Sequence, residues 1–230
     1  MKIPEHPIFL ESLKYIRSQM DFTGLDKVQQ SIVERIIHSS GDFNLQSCIR
    51  FSPNVCEKAI TALQNGAKIL TDTSMAKAAI SPMAKRTLNT DVQCILDMAP
   101  TSIDSSLTTR SAIGMEQIWL DMERKEQLLV GPVVVIGSAP TALMTLLDLI
   151  QNGTKRPSLI IGMPVGFIGV SECKTRLINS DSSYIVLEGS KGGASLAAAT
   201  VNALLRACLL YTSDAADEGL GVDLGGRRII

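Results

Sequence analysis

The sequence predicts an α/β protein in which helices cover both faces of a mainly parallel sheet, built as a single domain with a helical N-terminal segment. Short β-branched runs, of which Val133 to Ile136 is the clearest, alternate with longer helical patterns. Parallel neighbours need a crossover connection, so this alternation is typical of a parallel sheet. The chain has 230 residues, 45% of them hydrophobic, and no Pro-, Ser- or Gly-rich linker divides it. One substantial core is therefore expected.

Two helices are predicted at the start of the chain. Pro7 suits a first helical turn, and the apolar residues from there to Met20 have helical spacing. From Leu25 to Ile37, apolar residues again mark one helical face, and Gly41 follows as a stop signal. His38 is therefore expected at the C-terminal end of the second helix.

Strand and helix patterns alternate through the rest of the chain. Strands are predicted at 67–70, 92–96, 133–136, 159–161 and 184–187. Helices are predicted at about 52–66, 110–124, 141–151, 171–180 and 193–206.

The C-terminal end differs in character from the rest. From Cys208 onward the sequence has neither helical nor strand periodicity, and its last part is glycine-rich. It also resembles translated sequencing-adapter read-through. We therefore expect residues 1–207 to form the domain and residues 208–230 to be a non-native or disordered tail.

Charge and cysteine usage exclude several classes of protein. With 22 Lys and Arg against 23 Asp and Glu, the net charge of -1 creates no general attraction to nucleic acid or to an anionic membrane. Five cysteines are scattered without CxxC pairs or histidine partners, which argues against a metal site and a disulfide framework. A reducing cytoplasm fits this usage.

One uncharged stretch, Leu128 to Leu147, has the length of a membrane span. Gly131-Pro132 and the turn at 137–140 interrupt it, and Val133 to Ile136 is typical of a buried strand. We interpret the stretch as a strand followed by a helix, not as a membrane segment.

Three glycine-containing turns follow predicted strands, where open parallel sheets bind ligands. The turn at 137–141 opens a helix, so its N–H groups are suited to a carboxylate or phosphate. The segment 162–169 favours contact with something flat and apolar, and Lys191 precedes Gly192-Gly193 at a helix start. Each of these also has the simpler interpretation of a tight loop.

His38 and Arg110 are the candidates for chemistry. Histidine is scarce, since only His6 and His38 occur, and His6 lies near the N-terminus. A histidine at a helix end suits proton transfer, but it is also a common capping group because the helix dipole favours a cation there. Arg110 opens a helix, where the dipole favours anions, so a bound carboxylate would compensate it; solvent exposure is the alternative.

Five segments together resemble a known family. They are Ile36–Asp42, Thr109–Ala112, Ile136–Leu143, Gly162–Phe167 and Lys191–Gly193, and in order and spacing they are similar to precorrin-8X methylmutase. The resemblance runs from about Ile8 to Leu205. It implies a single α/β domain, a homodimer, and a methyl shift between neighbouring carbons of ring C of a corrin precursor, with no cofactor and with His38 as the acid.

The substrate implied by this resemblance is a large apolar ring that carries several carboxylates, so its site needs cations, N–H donors and an apolar slot. Asp72 stands where the family has an acidic residue after a strand, and it is expected to orient a substrate group or a neighbouring side chain. Cys173 and residues 188–190 depart from the usual pattern, which bears on the contacts near Lys191. The predicted substrate-binding residues, none of them a metal ligand, are Arg17, Asp72, Thr109, Arg110, Ser111, Gly137, Ala139, Thr141, Met163, Val165, Phe167 and Lys191.

Two other functions compete with the methylmutase interpretation. A nucleotide-dependent dehydrogenase or methyltransferase would share the alternating pattern, but no GxGxxG fingerprint is present. A non-catalytic tetrapyrrole carrier would use the same slot and cations without an acid. Within the methylmutase interpretation, a cobalt-containing and a metal-free substrate both fit the residues.

Overall fold

A computed structural model describes residues 6–21, 24–102, 104, 108–125 and 129–219, with side chains up to residue 210. Its strands are β1 (Ile49–Phe51), β2 (Ile69–Thr71), β3 (Val92–Cys94), β4 (Val133–Ile136), β5 (Leu159–Gly162) and β6 (Tyr184–Leu187). Its helices are α1 (Pro7–Gln19), α2 (Lys27–Ser40), α3 (Leu45–Cys48), α4 (Val55–Gln64), α5 (Ser74–Thr87), α6 (Arg110–Arg124), α7 (Pro140–Gln151), α8 (Val170–Ile178) and α9 (Ala194–Gly219).

The strands form one sheet in the order β1-β6-β5-β4-β2-β3. All neighbours are parallel except β1, which runs antiparallel to β6 at the edge. The predicted class, α/β with a mainly parallel sheet, is confirmed. The uncharged stretch contains β4 and the first part of α7, as its pattern indicated. No helix among the described residues has the length and apolarity needed to cross a membrane.

Alternate residues of each buried strand point to opposite faces of the sheet. In β4, Val133 and Val135 pack into the core formed with α1, α2, α4, α5 and α9. Val134 and Ile136 pack into a second core with α6, α7 and α8. Because both faces are covered, β4 is apolar at every position, which is why it appears in the sequence as a continuous β-branched run.

Helix α2 has a defined start and a defined end. Asp26 caps its first turn as part of a capping box with Gln29. Gly41 ends it in the left-handed conformation at φ 68°, and its N–H donates to the Ile37 carbonyl. His38 consequently lies in the last turn of α2, as the sequence predicted.

Some elements differ from the expectation. The edge strand β1 has only three residues, and α5 contains Pro82, whose interior position would normally end a helix; neither element was predicted. Beyond β3, a 3₁₀ turn at Ile95–Asp97 replaces the expected end of the strand.

Helix α9 continues past its predicted end. It extends to Gly219, and Cys208 is fully buried within the core. Residues 220–230 and the side chains after residue 210 lie outside the described part of the chain, so the expectation of a non-native tail stays a prediction.

Gly114 allows α6 to pack closely on the 3₁₀ turn. A Cβ at this position would lie 2.4 Å from the Ile95 carbonyl oxygen. Within a helix alanine is ordinarily more favourable than glycine by about 1 kcal/mol. For Gly114→Ala we expect the opposite sign, a loss of about 1–3 kcal/mol in the free energy of unfolding, because the backbone must shift. Urea denaturation measures it, with Gln117→Ala on the exposed face of α6 as the control. A Gly114→Ala protein as stable as the wild type would contradict the close packing.

Candidate active site

The carboxyl ends of β2, β4, β5 and β6 meet at one edge of the sheet because these strands are parallel. The residues that directly follow them are Asp72, Gly137, Met163 and Glu188. In an open parallel sheet this edge is the usual place for a ligand. It carries the turns that the sequence singled out.

Asp72 binds the turn at the start of α7. Its Oδ2 accepts hydrogen bonds from the N–H groups of Gly137 at 3.0 Å, Ser138 at 2.6 Å and Ala139 at 2.8 Å. Its Oδ1 is buried and has no hydrogen-bond partner among the described residues, and the residue is only 1% exposed. Burial raises the pKa of the Asp72 carboxyl, and the three N–H groups act in the opposite direction.

This contact bears on the predicted substrate-binding role of the turn, which stays a prediction. The N–H groups of Gly137 and Ala139 were expected to receive a substrate carboxylate, but the protein supplies its own carboxylate to them. Gly137 is required for another reason: a Cβ there would lie 2.6 Å from the Cα of Ala194 at the start of α9. The turn therefore connects β4 to α7 and packs directly against the start of α9. The hydrogen bonds of Asp72 go to backbone N–H groups and not to a neighbouring side chain, and its expected role in orienting a substrate group stays a prediction.

The N-termini of α6 and α7 meet through two threonines. The hydroxyls of Thr109 and Thr141 lie 2.7 Å apart, and Thr109 also caps α6 by accepting from the N–H of Ala112. Ser111 is 3.5 Å from the Thr109 hydroxyl. Arg110 is exposed, and its Nε donates to the Pro100 carbonyl at 3.0 Å. The structure thus brings Thr109, Arg110, Ser111 and Thr141 together, and their predicted contact with a substrate stays a prediction.

The segment after β5 has one buried and two exposed predicted residues. Met163 is fully buried, and its sulfur accepts from the Thr200 hydroxyl, so its side chain packs in the core instead of facing a slot. Val165 and Phe167 are 51% and 89% exposed. With Ile168, also exposed, they form an apolar surface beside the edge.

His38 is exposed at the end of α2, and its imidazole ring contacts the ring of Phe9 in α1. The two rings meet edge to face with their centroids 4.8 Å apart. The Arg35 guanidinium lies over the Phe9 ring at 4.9 Å from its centroid. The imidazole is therefore supported by packing but open to a ligand.

Two of the predicted cations form ion pairs. Arg17 makes two hydrogen bonds to the buried carboxylate of Glu34, at 2.7 and 2.8 Å. The Lys191 ammonium pairs with Asp42, just beyond the Gly41 cap of α2. This bond lowers the pKa of the Asp42 carboxyl. The Lys191–Asp42 pair brings the loop after β6 next to the helix end that carries His38.

The sequence interpretation missed Lys174, because a lysine in an amphipathic helix is ordinarily solvent-exposed. Here it is 1% exposed and donates to two carbonyls of the loop after β6. The described residues contain no group of three His, Cys, Asp or Glu side chains placed to hold a metal ion. A shallow depression at the opposite edge, near Glu57 and Gly131, contains none of the predicted site residues.

An open parallel sheet with an exposed histidine, a threonine pair and cations at its carboxyl edge defines an α/β enzyme of the open-sheet type. Residues 7–207 match the family described as precorrin-8X methylmutase, and the chain belongs to that family. Methylmutases are isomerases of the intramolecular transferase type, and the predicted enzyme class is confirmed.

Individual relatives agree with this placement. The chain is 36% identical over 215 residues to cobalt-precorrin-8 methylmutase of Synechocystis sp., covering 87% of this chain and 95% of that protein. It is 35% identical over 204 residues to precorrin-8X methylmutase of Pseudomonas aeruginosa, covering 86% and 93%. The crystal structure of precorrin-8X methylmutase from Thermus thermophilus superposes with a TM-score of 0.78 at 32% identity, covering 90% of this chain and 99% of that one.

The contact between Asp72 and the turn predicts a specific stability effect. Asp72→Ala leaves three N–H groups without their acceptor, so we expect the free energy of unfolding to fall by about 2–4 kcal/mol. Asp72→Asn keeps a carbonyl acceptor and should lose less. Formate should restore part of the loss in Asp72→Ala, whereas sodium chloride of the same ionic strength should not.

Urea denaturation checks this expectation, with Asp148→Ala as the control. Asp148 lies on α7 and forms an exposed ion pair with Arg176, so its removal should cost only about 0–1 kcal/mol. Equal losses for the two alanine variants would show that the turn does not depend on the Asp72 carboxylate.

Proposed function

We propose that this chain moves a methyl group between neighbouring carbons of ring C in precorrin-8X or cobalt-precorrin-8, a step of cobalamin biosynthesis, with His38 as the general acid. The observation that carries the proposal is the family match, which spans residues 7–207 and includes the carboxyl edge of the sheet. The exposed imidazole at that edge supplies the one group that the chemistry needs.

The reaction requires a proton donor and no nucleophilic side chain. Migration breaks one carbon–methyl bond and forms another on the adjacent carbon of a conjugated ring. Protonation of the ring C nitrogen by His38 increases the electron demand that drives this shift, and the proton is returned afterwards because the reaction is an isomerisation. A positioned general acid contributes about 10²–10⁴-fold in rate. Phe9, edge-on to the imidazole, limits the orientations that the imidazole can take.

The edge also has the character that a carboxylate-bearing macrocycle requires. Arg110, with the hydroxyls of Thr109 and Thr141, offers donors on one side of the edge. Val165 and Phe167 offer an apolar surface on the other. Arg17 is held by Glu34, so its proposed role is to fix α1 against α2, and not to bind a carboxylate directly.

Several finer points belong to the same proposal. The relatives include proteins named for the cobalt-containing and for the metal-free substrate, and both substrates fit the residues of this chain. We infer a homodimer, since the exposed Phe167 and Ile168 are suited to meet a second copy or the bound corrinoid. The five cysteines all lie in the described part of the chain and form no disulfide there, which fits a cytoplasmic location.

Substitution of His38 tests the proposal directly. We expect His38→Ala to bind hydrogenobyrinic acid, the product formed from precorrin-8X, with unchanged affinity. The variant should convert precorrin-8X at least about 10²-fold more slowly, because only the proton donor is lost. Anaerobic absorption spectroscopy follows both properties. His6→Ala is the matched control: His6 only caps α1, so that variant should convert substrate normally.

The alternative function gives a different result. A non-catalytic carrier would bind the corrinoid equally well with either histidine and would show no turnover in the wild type. Equal conversion by wild type and His38→Ala would instead leave the reaction in place and remove His38 from its role as the acid.

A further inference from the structure

Lys174 is a buried cation that the methyl-transfer chemistry does not use. It lies in the middle of α8, it is 1% exposed, and its Nζ donates to the carbonyl oxygens of Gly189 at 2.7 Å and Lys191 at 2.8 Å. Burial lowers the pKa of Lys174 to about 8, while the nearby thiols of Cys173 and Cys48 act in the opposite direction. The Lys174 ammonium group is therefore bound to the loop that follows β6.

Several backbone groups of that loop, residues 188–193, form hydrogen bonds with other segments. Between the two carbonyls bound by Lys174, the Ser190 carbonyl accepts from the N–H of Gly166 at 3.0 Å. At its far end, the N–H of Gly193 donates to the Met163 carbonyl at 2.9 Å. Three successive carbonyls are therefore satisfied by donors from outside the loop, two of them by one ammonium group.

The loop after β6 also packs directly against the segment that follows β5. A Cβ on Gly192 would lie 2.1 Å from the Met163 carbonyl oxygen, so the backbones of segments 163–166 and 189–193 are in direct contact. At the start of the loop, the N–H of Glu188 donates at 2.8 Å to the carbonyl of Cys48, the last residue of α3. The Lys191 side chain extends from this loop to its ion pair with Asp42.

A buried lysine is a costly way to fill space. Desolvating an ammonium group is unfavourable unless hydrogen bonds compensate it, and an apolar side chain of similar length would pack without that cost. What an apolar side chain lacks is the ability to hold two carbonyls at once. The arrangement therefore indicates that the Lys174 ammonium fixes the conformation of residues 189–191, which an apolar side chain could not do.

We propose that Lys174 is a positioning residue: by holding the Gly189 and Lys191 carbonyls, it directs the Lys191 ammonium to the mouth of the site, where it binds a carboxylate of the corrinoid. The inference rests on the proposed function and deepens it. Asp42 holds the ammonium beside the end of α2, and the Lys191 side chain remains 55% exposed, so a substrate carboxylate can still reach it.

A double-mutant cycle tests this coupling. The wild type, Lys174→Met, Lys191→Met and the double variant are titrated with hydrogenobyrinic acid, and the dissociation constant is read from the absorption spectrum. Each single change is expected to raise the dissociation constant about tenfold, which corresponds to one lost charged contact. The double variant should bind no more weakly than Lys191→Met alone, because Lys174 acts through Lys191. The KM for precorrin-8X should rise by the same factor.

Arg176→Met is the matched control, since it also removes a cation from α8. The Arg176 guanidinium pairs with Asp148 of α7 and not with the loop after β6. The variant should bind like the wild type. Additive losses in the cycle, or an unchanged dissociation constant in Lys174→Met, would overturn the inference. If Lys174→Met shows no cooperative urea transition, Lys174→Gln, which keeps an amide donor, takes its place, and an unchanged dissociation constant there would overturn the inference equally.

Failure of the proposed function is seen separately. A wild-type protein that binds hydrogenobyrinic acid but does not convert precorrin-8X or cobalt-precorrin-8 contradicts the methyl-transfer proposal, whatever the cycle gives. A wild type that converts substrate, together with an additive cycle, leaves the function intact and removes only the role of Lys174.

Discussion

The turn between β4 and α7 depends on a single carboxylate. Three successive N–H groups converge there, and without an acceptor they would be unsatisfied at a partly buried site. Asp72 supplies that acceptor from the end of the neighbouring strand β2, so the edge of the sheet is ordered before any ligand arrives. Many open-sheet proteins leave such a turn free for a phosphate, whereas in this chain the Asp72 side chain occupies it.

The two sides of the edge are organised in different ways. On one side, the N-termini of α6 and α7 share the Thr109–Thr141 contact and present Arg110. On the other, the loops after β5 and β6 are joined backbone to backbone, and the Lys191–Asp42 pair connects them to the end of α2. His38 thus stands at the junction between a helical segment and the rigid loops. The role proposed for His38, proton donation to one ring nitrogen of a large ligand, requires this kind of fixed surrounding.

Local signals predicted much of this structure. The position of His38 followed from apolar spacing and from Gly41, and β4 followed from its β-branched run, because both signals depend only on residues close in sequence. The acceptor for the turn at 137–139 did not follow, since Asp72 lies 65 residues before Gly137. Neither did the burial of Lys174 or of Met163, which depends on how distant segments pack. Element positions are encoded locally, whereas the partners of polar groups at the edge are set by the tertiary fold.

The central claim is that the chain moves one methyl group within its substrate, and carbon labelling tests it most directly. Precorrin-8X labelled with ¹³C at the migrating methyl group would be incubated anaerobically with the purified protein and followed by ¹³C NMR. The account predicts that the labelled signal moves to the chemical shift of a methyl group on the neighbouring ring C carbon, with no label lost to solution. A labelled signal that keeps its original shift, with both the metal-free and the cobalt-containing substrate, would contradict it.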